Sequence, residues 1–379
     1  MPSLLPDVDP DGLLEFSVVF TDRALNHMSA RFQQVMCDLD AMLRTVYHAH
    51  ATALIPGGGS YAMEAVARQL ATNRRCLIIR NGWFSFRWTQ ILEVGGISAD
   101  TTVLHARPTH DGPRAPFAPP PINTVVDAIA THRPAVVFAP HVETSAGMLL
   151  PDDYLRAVAA AVHAVGGLFV LDGVASGGLF VNMAQVGVDV LISAPQKSWS
   201  APPSCGLVML SEAGRRAVEQ TTSTSFANDL GRWMQIMDAY LAGGHAYHAT
   251  MPTDALVRLR DAMQQTQRFG FNRCSAAQRD LGARIRAQLV AAGFESVAEA
   301  GFQSPSVVVS YTDDPSIKNG RRFAQAGVQV AGGVPLRCGE RDDFATFRVG
   351  LFGLDKLQDV DGTARRFADA LKRLREPST

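Results

Sequence analysis

The sequence predicts an α/β protein, with a mostly parallel sheet covered by helices and a smaller α+β unit after it. Three observations carry this. From about residue 50 to 211, short apolar runs alternate with helix-length amphipathic segments, and runs apolar on both faces belong to strands buried under helices on either side. Beyond Leu210 the alternation stops and longer helical patterns take over. The chain has 379 residues, more than one ordinary core holds, so a large and a small domain are expected.

Taken in order, the predicted strands of the first region are 52–55, 76–80, 102–105, 135–139, 168–171, 188–192 and 207–210, seven in all. Helical patterns lie between them at 61–71, 84–94, 122–132 and 152–165. A polar stretch at 221–228 precedes a helical region over 229–243, and a second, over 252–292, has apolar spacing suited to a helix linking two domains. Strand-like runs follow at 306–311, 328–331 and 346–349, with helices near 317–326 and 361–374. The division expected is an N-terminal arm over 1–15, a large domain over 16–265 that includes the start of the linking helix, and a small C-terminal domain over 266–379. The proline-rich patch at 116–121 reads as a loop.

Composition narrows the function. Lys+Arg 35 against Asp+Glu 36 gives a net charge of −1 with no basic stripe, so nucleic acid and anionic membrane surfaces gain no support. No run reaches the roughly 18–20 apolar residues of a membrane span, and the acidic, proline-broken residues 1–9 do not form a signal or transit peptide. Five scattered cysteines without a C-x-x-C pair read as reduced thiols in a cytoplasmic protein, with no metal site expected.

Parallel sheets gather their ligands at the C-terminal ends of strands, and the chemistry-bearing segments of this chain fall there. Pro56-Gly57-Gly58-Gly59-Ser60-Tyr61 ends a strand and opens a helix; its glycines let backbone approach an anion, unless they form only a turn. Trp83, Phe84, Phe86 and Trp88 follow the next strand, as a stacking face for a planar heterocycle or as core filling. Asp172 closes a third apolar run, either as a turn residue or as the partner of a protonated ring nitrogen. Lys197 sits in Ser193-Ala194-Pro195-Gln196-Lys197-Ser198-Trp199, as a solvated charge or as an amine whose pKa desolvation lowers for Schiff-base work. A lysine that can form a Schiff base, with a carboxylate for a pyridinium nitrogen, is the minimum equipment for pyridoxal phosphate chemistry. Arg348, inside the apolar run Phe347-Arg348-Val349-Gly350, needs an anionic partner, which is a structural carboxylate or that of a substrate. His245 and His248 have no partner at metal-ligand spacing and read as loop residues.

Together these segments resemble the class V aminotransferases of the type I pyridoxal phosphate fold, nearest to the alanine–glyoxylate and serine–pyruvate branch. The likeness runs from about Leu25 to Leu354. It rests on Asn26-His27-Met28-Ser29, the Gly57–Glu64 loop, His141-Val142-Glu143-Thr144-Ser145-Ala146-Gly147, Asp172-Gly173-Val174-Ala175-Ser176, the Ser193–Pro203 segment, Tyr247-His248-Ala249-Thr250-Met251-Pro252 and Phe347-Arg348-Val349-Gly350, all in the family's order. The resemblance implies that Lys197 carries the cofactor and shuttles the substrate proton, and that Asp172 holds the ring nitrogen. It places Val174 beneath the ring, Phe84 in the stacking position and Thr144 at the phenolic oxygen side. It assigns Gly58, Gly59, Ser60 and Gln196 to the phosphate, with Tyr247 and Thr250 reaching the phosphate of a neighbouring subunit in a homodimer. Arg348 is implied to clamp the substrate α-carboxylate. The expected activity is ping-pong transfer of an amino group from a small amino acid, alanine- or serine-like, to glyoxylate or pyruvate.

The sequence departs from the family in two places. The usual N-terminal Pro-Gly-Pro-Thr loop is replaced by Phe16-Ser17-Val18-Val19-Phe20-Thr21-Asp22-Arg23, and the phosphate loop carries Gly58 and Tyr61 where small or hydroxyl-bearing residues are usual. The altered N-terminal loop brings in a second expectation, a transaminase for an aminophosphonate or other unusual amine. A lyase such as a cysteine desulfurase is a more distant reading; it calls for an exposed nucleophilic cysteine, and Cys338 is the candidate.

Overall fold

Apolar runs buried on both faces can satisfy their N–H and C=O groups only on neighbouring strands, and the seven runs of the first region join into one sheet. The structure, a computed structural model, describes residues 4–375. The first three residues of the expected N-terminal arm and the last four of the expected small domain lie outside the described residues. The strands are β1 (Ala51–Pro56), β2 (Arg75–Arg80), β3 (Asp100–His105), β4 (Val136–Pro140), β5 (Leu168–Asp172), β6 (Val190–Ser193) and β7 (Cys205–Leu210). Their order across the sheet is β1-β7-β6-β5-β4-β2-β3. Only β7 runs antiparallel, to both β1 and β6, so the other six strands point the same way. Their C-terminal ends therefore share one edge, where the Pro56, Asn81, His141, Asp172 and Ala194 turns all emerge.

Helices α1 (Ala30–Tyr47), α2 (Gly59–Leu70), α3 (Trp83–Val94), α4 (Ile122–His132) and α5 (Asp152–Ala164) precede or join the strands. The sequence expectations placed no element where α1 lies. Its signals are local: Ser29 accepts the Phe32 N–H at 3.1 Å as an N-cap, and Phe32, Val35, Met36, Leu39 and Leu43 are buried on one face. The predicted linking helix over 252–292 is two helices, Thr253–Phe269 and Phe271–Ala291. The break falls at Gly270, whose φ of 99° suits only glycine, while apolar spacing continues on both sides and hides the corner.

The C-terminal part holds a three-stranded sheet of β8 (Val307–Tyr311), β9 (Ala331–Gly332) and β10 (Thr346–Gly350), antiparallel, in the order β8-β10-β9. The strand expected at 328–331 is thus only two residues long. The helix expected near 317–326 splits into Pro315–Lys318 and Arg321–Gln325 at Gly320, where φ is 78°. One core of buried side chains is built from residues between Leu25 and Met263, and a second from residues between Cys274 and Leu374. Among the described residues no helix is long and apolar enough to cross a membrane.

Helix α2 lies directly against β7. A Cβ on Gly206 would collide with the Ala62 Cβ and stand 2.8 Å from the Gly58 carbonyl oxygen, which is backbone and cannot swing aside. Gly206→Ala should therefore push the first turn of α2 off the sheet and cost about 1–3 kcal/mol of stability. Thermal unfolding checks it, and an unchanged Tm would show that the close approach is not needed.

Candidate active site

Helix α3 begins at the edge of the sheet, and its first N–H groups have no acceptor within the helix. Glu143, with no exposed surface, supplies one. Its carboxylate accepts from Phe84 N at 3.2 Å, Ser85 N at 2.8 Å, Ser85 Oγ at 2.8 Å, Ser145 N at 3.0 Å and Ser145 Oγ at 2.6 Å. Trp83 N donates to Ser145 Oγ at 2.9 Å. Gly82 leaves room for this arrangement, since a Cβ there would strike Ser145 Oγ and come within 2.8 Å of the Glu143 side chain. A carboxylate at a helix N-terminus is also favoured by the helix dipole.

The anchored turn presents Phe84, and three cations gather on its ring. Arg87 Cζ is 4.9 Å from the ring centroid, Arg348 Cζ 5.6 Å and Lys197 Nζ 5.7 Å. Phe352 flanks the amine from another direction, 5.6 Å from Nζ. Lys197 lies in the short helix Pro195–Ser198 just after β6. Burial pushes its amine pKa down, the Asp172 charge partly opposes this, and Arg87 and Arg348 push it further down.

Asp172 is the last residue of β5 and only 8% exposed. Burial pushes its carboxyl up to about 6, against the opposing effects of the Val174 N–H and of Lys197. One oxygen accepts the Val174 N–H at 3.0 Å; the other makes no hydrogen bond among the described residues. That open acceptor, with an amine nearby and an aromatic ring alongside, matches the donor set a pyridinium cofactor needs. Val174 also packs on the glycine loop, where a Cβ on Gly59 would come 2.8 Å from its Cγ2. His141 Nδ1 meets Ser176 Oγ at 2.7 Å, and burial drives its pKa down to about 4, so the ring is neutral.

In the glycine loop Gly57 has a φ of 119°, which favours glycine. Tyr61 and Ala62 donate to the Gly58 carbonyl at 3.0 and 3.1 Å, while the Gly59 and Ser60 N–H groups have no acceptor among the described residues. Gln196, next to Lys197 in sequence, is exposed, and Thr144 is buried with no side-chain hydrogen bond among the described residues. Arg348 donates from Nε to the Gly332 carbonyl at 2.8 Å and has no carboxylate within 4.0 Å among the described residues. Its electrostatic counter-charge among the described residues is Glu143, which acts from beyond that distance. Tyr247 and Thr250 contact each other, hydroxyl to hydroxyl at 3.1 Å, and Tyr247 packs on His27, apart from the groups around Lys197.

Glu143, Arg87 and Phe352 belong to this cluster, and the sequence assigned none of them a role. Only Glu143 had a usable signal, as the one carboxylate in a segment leaving a buried strand. Cys338 is buried, donates to the Arg80 carbonyl at 3.4 Å, and has its thiol pushed up to about 12. It does not offer the exposed thiolate that a desulfurase needs. Among the described residues no group of three or more His, Cys, Asp or Glu side chains is arranged to hold a metal ion.

The profile of the family described as Aminotransferase class-V matches residues 17–333 of the chain. A 2-aminoethylphosphonate–pyruvate transaminase of Paraburkholderia xenovorans is 30% identical over 366 residues, covering 93% of this chain and 90% of that protein. An alanine–glyoxylate aminotransferase of Callithrix jacchus is 26% identical over 369 residues, covering 92% and 82%. The crystal structure of an alanine–glyoxylate aminotransferase from Nostoc sp. superimposes with a TM-score of 0.77 at 23% identity, covering 92% of this chain and 89% of that one. That last likeness is one of fold.

The raised Asp172 pKa has a measurable consequence for the cofactor-free protein. The folded carboxyl keeps its proton up to about pH 6, whereas the unfolded one loses it near 3.8. The contribution of this carboxyl to folding stability is therefore greatest below pH 4 and is lost as pH rises through that window. Asp172→Asn should gain stability over the parent across the same interval, by on the order of 2–3 kcal/mol at pH 7. Melting curves of both proteins between pH 4 and 8 test this, and a gap that does not change with pH would contradict it.

Proposed function

The chain belongs to the class V aminotransferases and is a pyridoxal-phosphate-dependent transaminase, and from that premise we propose that it moves an amino group from a small amino acid, alanine- or serine-like, to glyoxylate or pyruvate in a ping-pong cycle. The observation that carries the substrate reading is the guanidinium of Arg348, which has no carboxylate within 4.0 Å among the described residues and shares the Phe84 ring with the Lys197 amine. A fork with no carboxylate in contact, beside a desolvated amine, is suited to a small acid whose amino group sits next to its carboxylate.

When bound, pyridoxal phosphate supplies an aldehyde to carry the amino group and a ring that withdraws electrons from the carbon losing its proton. In this reading Asp172, Val174, Phe84 and Thr144 hold the ring, and Gly58, Gly59, Ser60 and Gln196 hold the phosphate. Asp172 uses its open oxygen to keep a proton on the ring nitrogen. Lys197 Nζ, left unprotonated more readily by burial, would take the proton from the donor's Cα and deliver it to the cofactor carbon that bears the transferred nitrogen. Held in place, it gains from proximity as much as from basicity. Arg348 orients the donor carboxylate.

The same reading makes the protein a homodimer in which Tyr247 and Thr250 reach the phosphate of the other copy. Exposure of Tyr247 at 54%, and of Phe16 at 90% and Phe226 at 78%, supports a covering partner. Free cysteines throughout the described residues are in keeping with a cytoplasmic protein. A second reading, amino transfer from an aminophosphonate, is favoured by the relative of that activity; Arg348 would then meet a phosphonate.

The visible spectrum of the purified protein, read while single amino donors are added, tests the proposal. A yellow band bleached by alanine or serine is expected. Bleaching by 2-aminoethylphosphonate alone would move the assignment to the second reading, and no band after cofactor is added would overturn both. Arg348→Ala should raise the KM for the amino acid roughly ten- to a hundredfold, as loss of a charge-assisted contact implies. An unchanged KM would mean that another group orients the carboxylate.

A further inference from the structure

We propose that Arg87 supplies the positive charge that holds the cofactor phosphate, positioned at the glycine loop by its hydrogen bond to Ser60. The inference rests on the phosphate placement given above. The residues assigned there from this chain, Gly58, Gly59, Ser60 and Gln196, are all neutral, and the backbone N–H groups at the start of α2 contribute only partial charges. A phosphate dianion held so would lack a full counter-charge from its own subunit. Arg87 is the only cation hydrogen-bonded to any of these residues among the described residues, through Nη1 to Ser60 Oγ at 3.0 Å.

The geometry of that bond matters. A hydroxyl carries one proton and two lone pairs. With the Arg87 N–H on a lone pair, the Ser60 proton is free to be donated, and it reaches no acceptor among the described residues. Arg87 itself has five N–H donors, of which only this one is used among the described residues. No carboxylate lies within 4.0 Å of its guanidinium among the described residues, and the group is half-buried against Phe84, 4.9 Å from the ring centroid. Unused donors on Arg87, Ser60 and the first turn of α2 thus meet at one place, and a planar fork matches phosphate oxygens better than carbonyls or water.

The position of Arg87 is also built in. It lies three residues beyond Phe84 on α3, whose N-terminus Glu143 fixes, so the guanidinium is delivered to the glycine loop by the same anchor that places the ring. Its charge reaches the reacting groups too, pushing both the Lys197 and the Asp172 pKa down.

Cofactor binding separates this role from a merely structural one. Cofactor-free protein is titrated with pyridoxal phosphate and, separately, with pyridoxal, which lacks the phosphate. Arg87→Gln should weaken pyridoxal phosphate binding roughly ten- to a hundredfold more than it changes pyridoxal binding. Arg87→Lys keeps the charge without the fork and should recover part of that difference; it also stands in should Arg87→Gln not fold. Equal weakening for both compounds would make Arg87 a structural tie between α2 and α3 and overturn the inference, as would unchanged pyridoxal phosphate affinity. A parent protein that binds neither compound would instead remove the transaminase reading on which this one stands.

Discussion

The site depends on one buried carboxylate. Glu143 lies at the sheet edge with no exposed surface, where an unpaired charge would be very costly. It is made tolerable by five hydrogen bonds, two of them from N–H groups that the first turn of α3 leaves without partners. Each side solves the other's problem. The helix obtains an acceptor for its first turn and the carboxylate obtains donors, so α3 is tied to the segment that follows β4. Phe84 and Arg87 inherit their positions from that tie.

Around the anchored ring three cations meet two carboxyl groups. Lys197, Arg87 and Arg348 all approach Phe84, whose aromatic face attracts each of them, while the Asp172 and Glu143 charges act on Lys197 and the Glu143 charge on Arg348. Burial then works on the two reacting groups in opposite directions, lowering the Lys197 pKa and raising that of Asp172, because desolvation penalises whichever form is charged. A pocket with surplus cations and a partly neutralised acid is preorganised for ligands that bring anions of their own. A phosphate at one end and a carboxylate or phosphonate at the other meet that need.

Much of this was legible in the sequence. Six of the seven strands are buried along most of their length, so their composition alone marks them, while β3 at the edge of the sheet is only half-buried; the positions of all seven agree with the runs read from the sequence. Lys197, Asp172, Phe84 and Arg348 stood out because each is a residue of unusual type for its surroundings, at a strand end or inside an apolar run, and they do converge. Other features carried no such mark. Gly270 breaks a helix whose apolar spacing runs on through it, and the local marks of α1 are a single cap, Ser29, and one apolar face. Arg87 looks like any helical arginine, and Phe352 like any apolar residue after a strand.

What the sequence determined by itself was the set of strands, the order of the turns along the chain and the kinds of side chain those turns carry. These follow from local burial patterns and from residue chemistry, both of which are written in short stretches of chain. Only the tertiary structure decided which turns meet. Glu143 and Phe84 are 59 residues apart in sequence and Arg87 and Ser60 are 27 apart, and their contacts arise because parallel strands bring distant turns to a common edge. Partnership across such distances depends on strand order, and strand order is set by the packing of the whole sheet rather than by any segment of it.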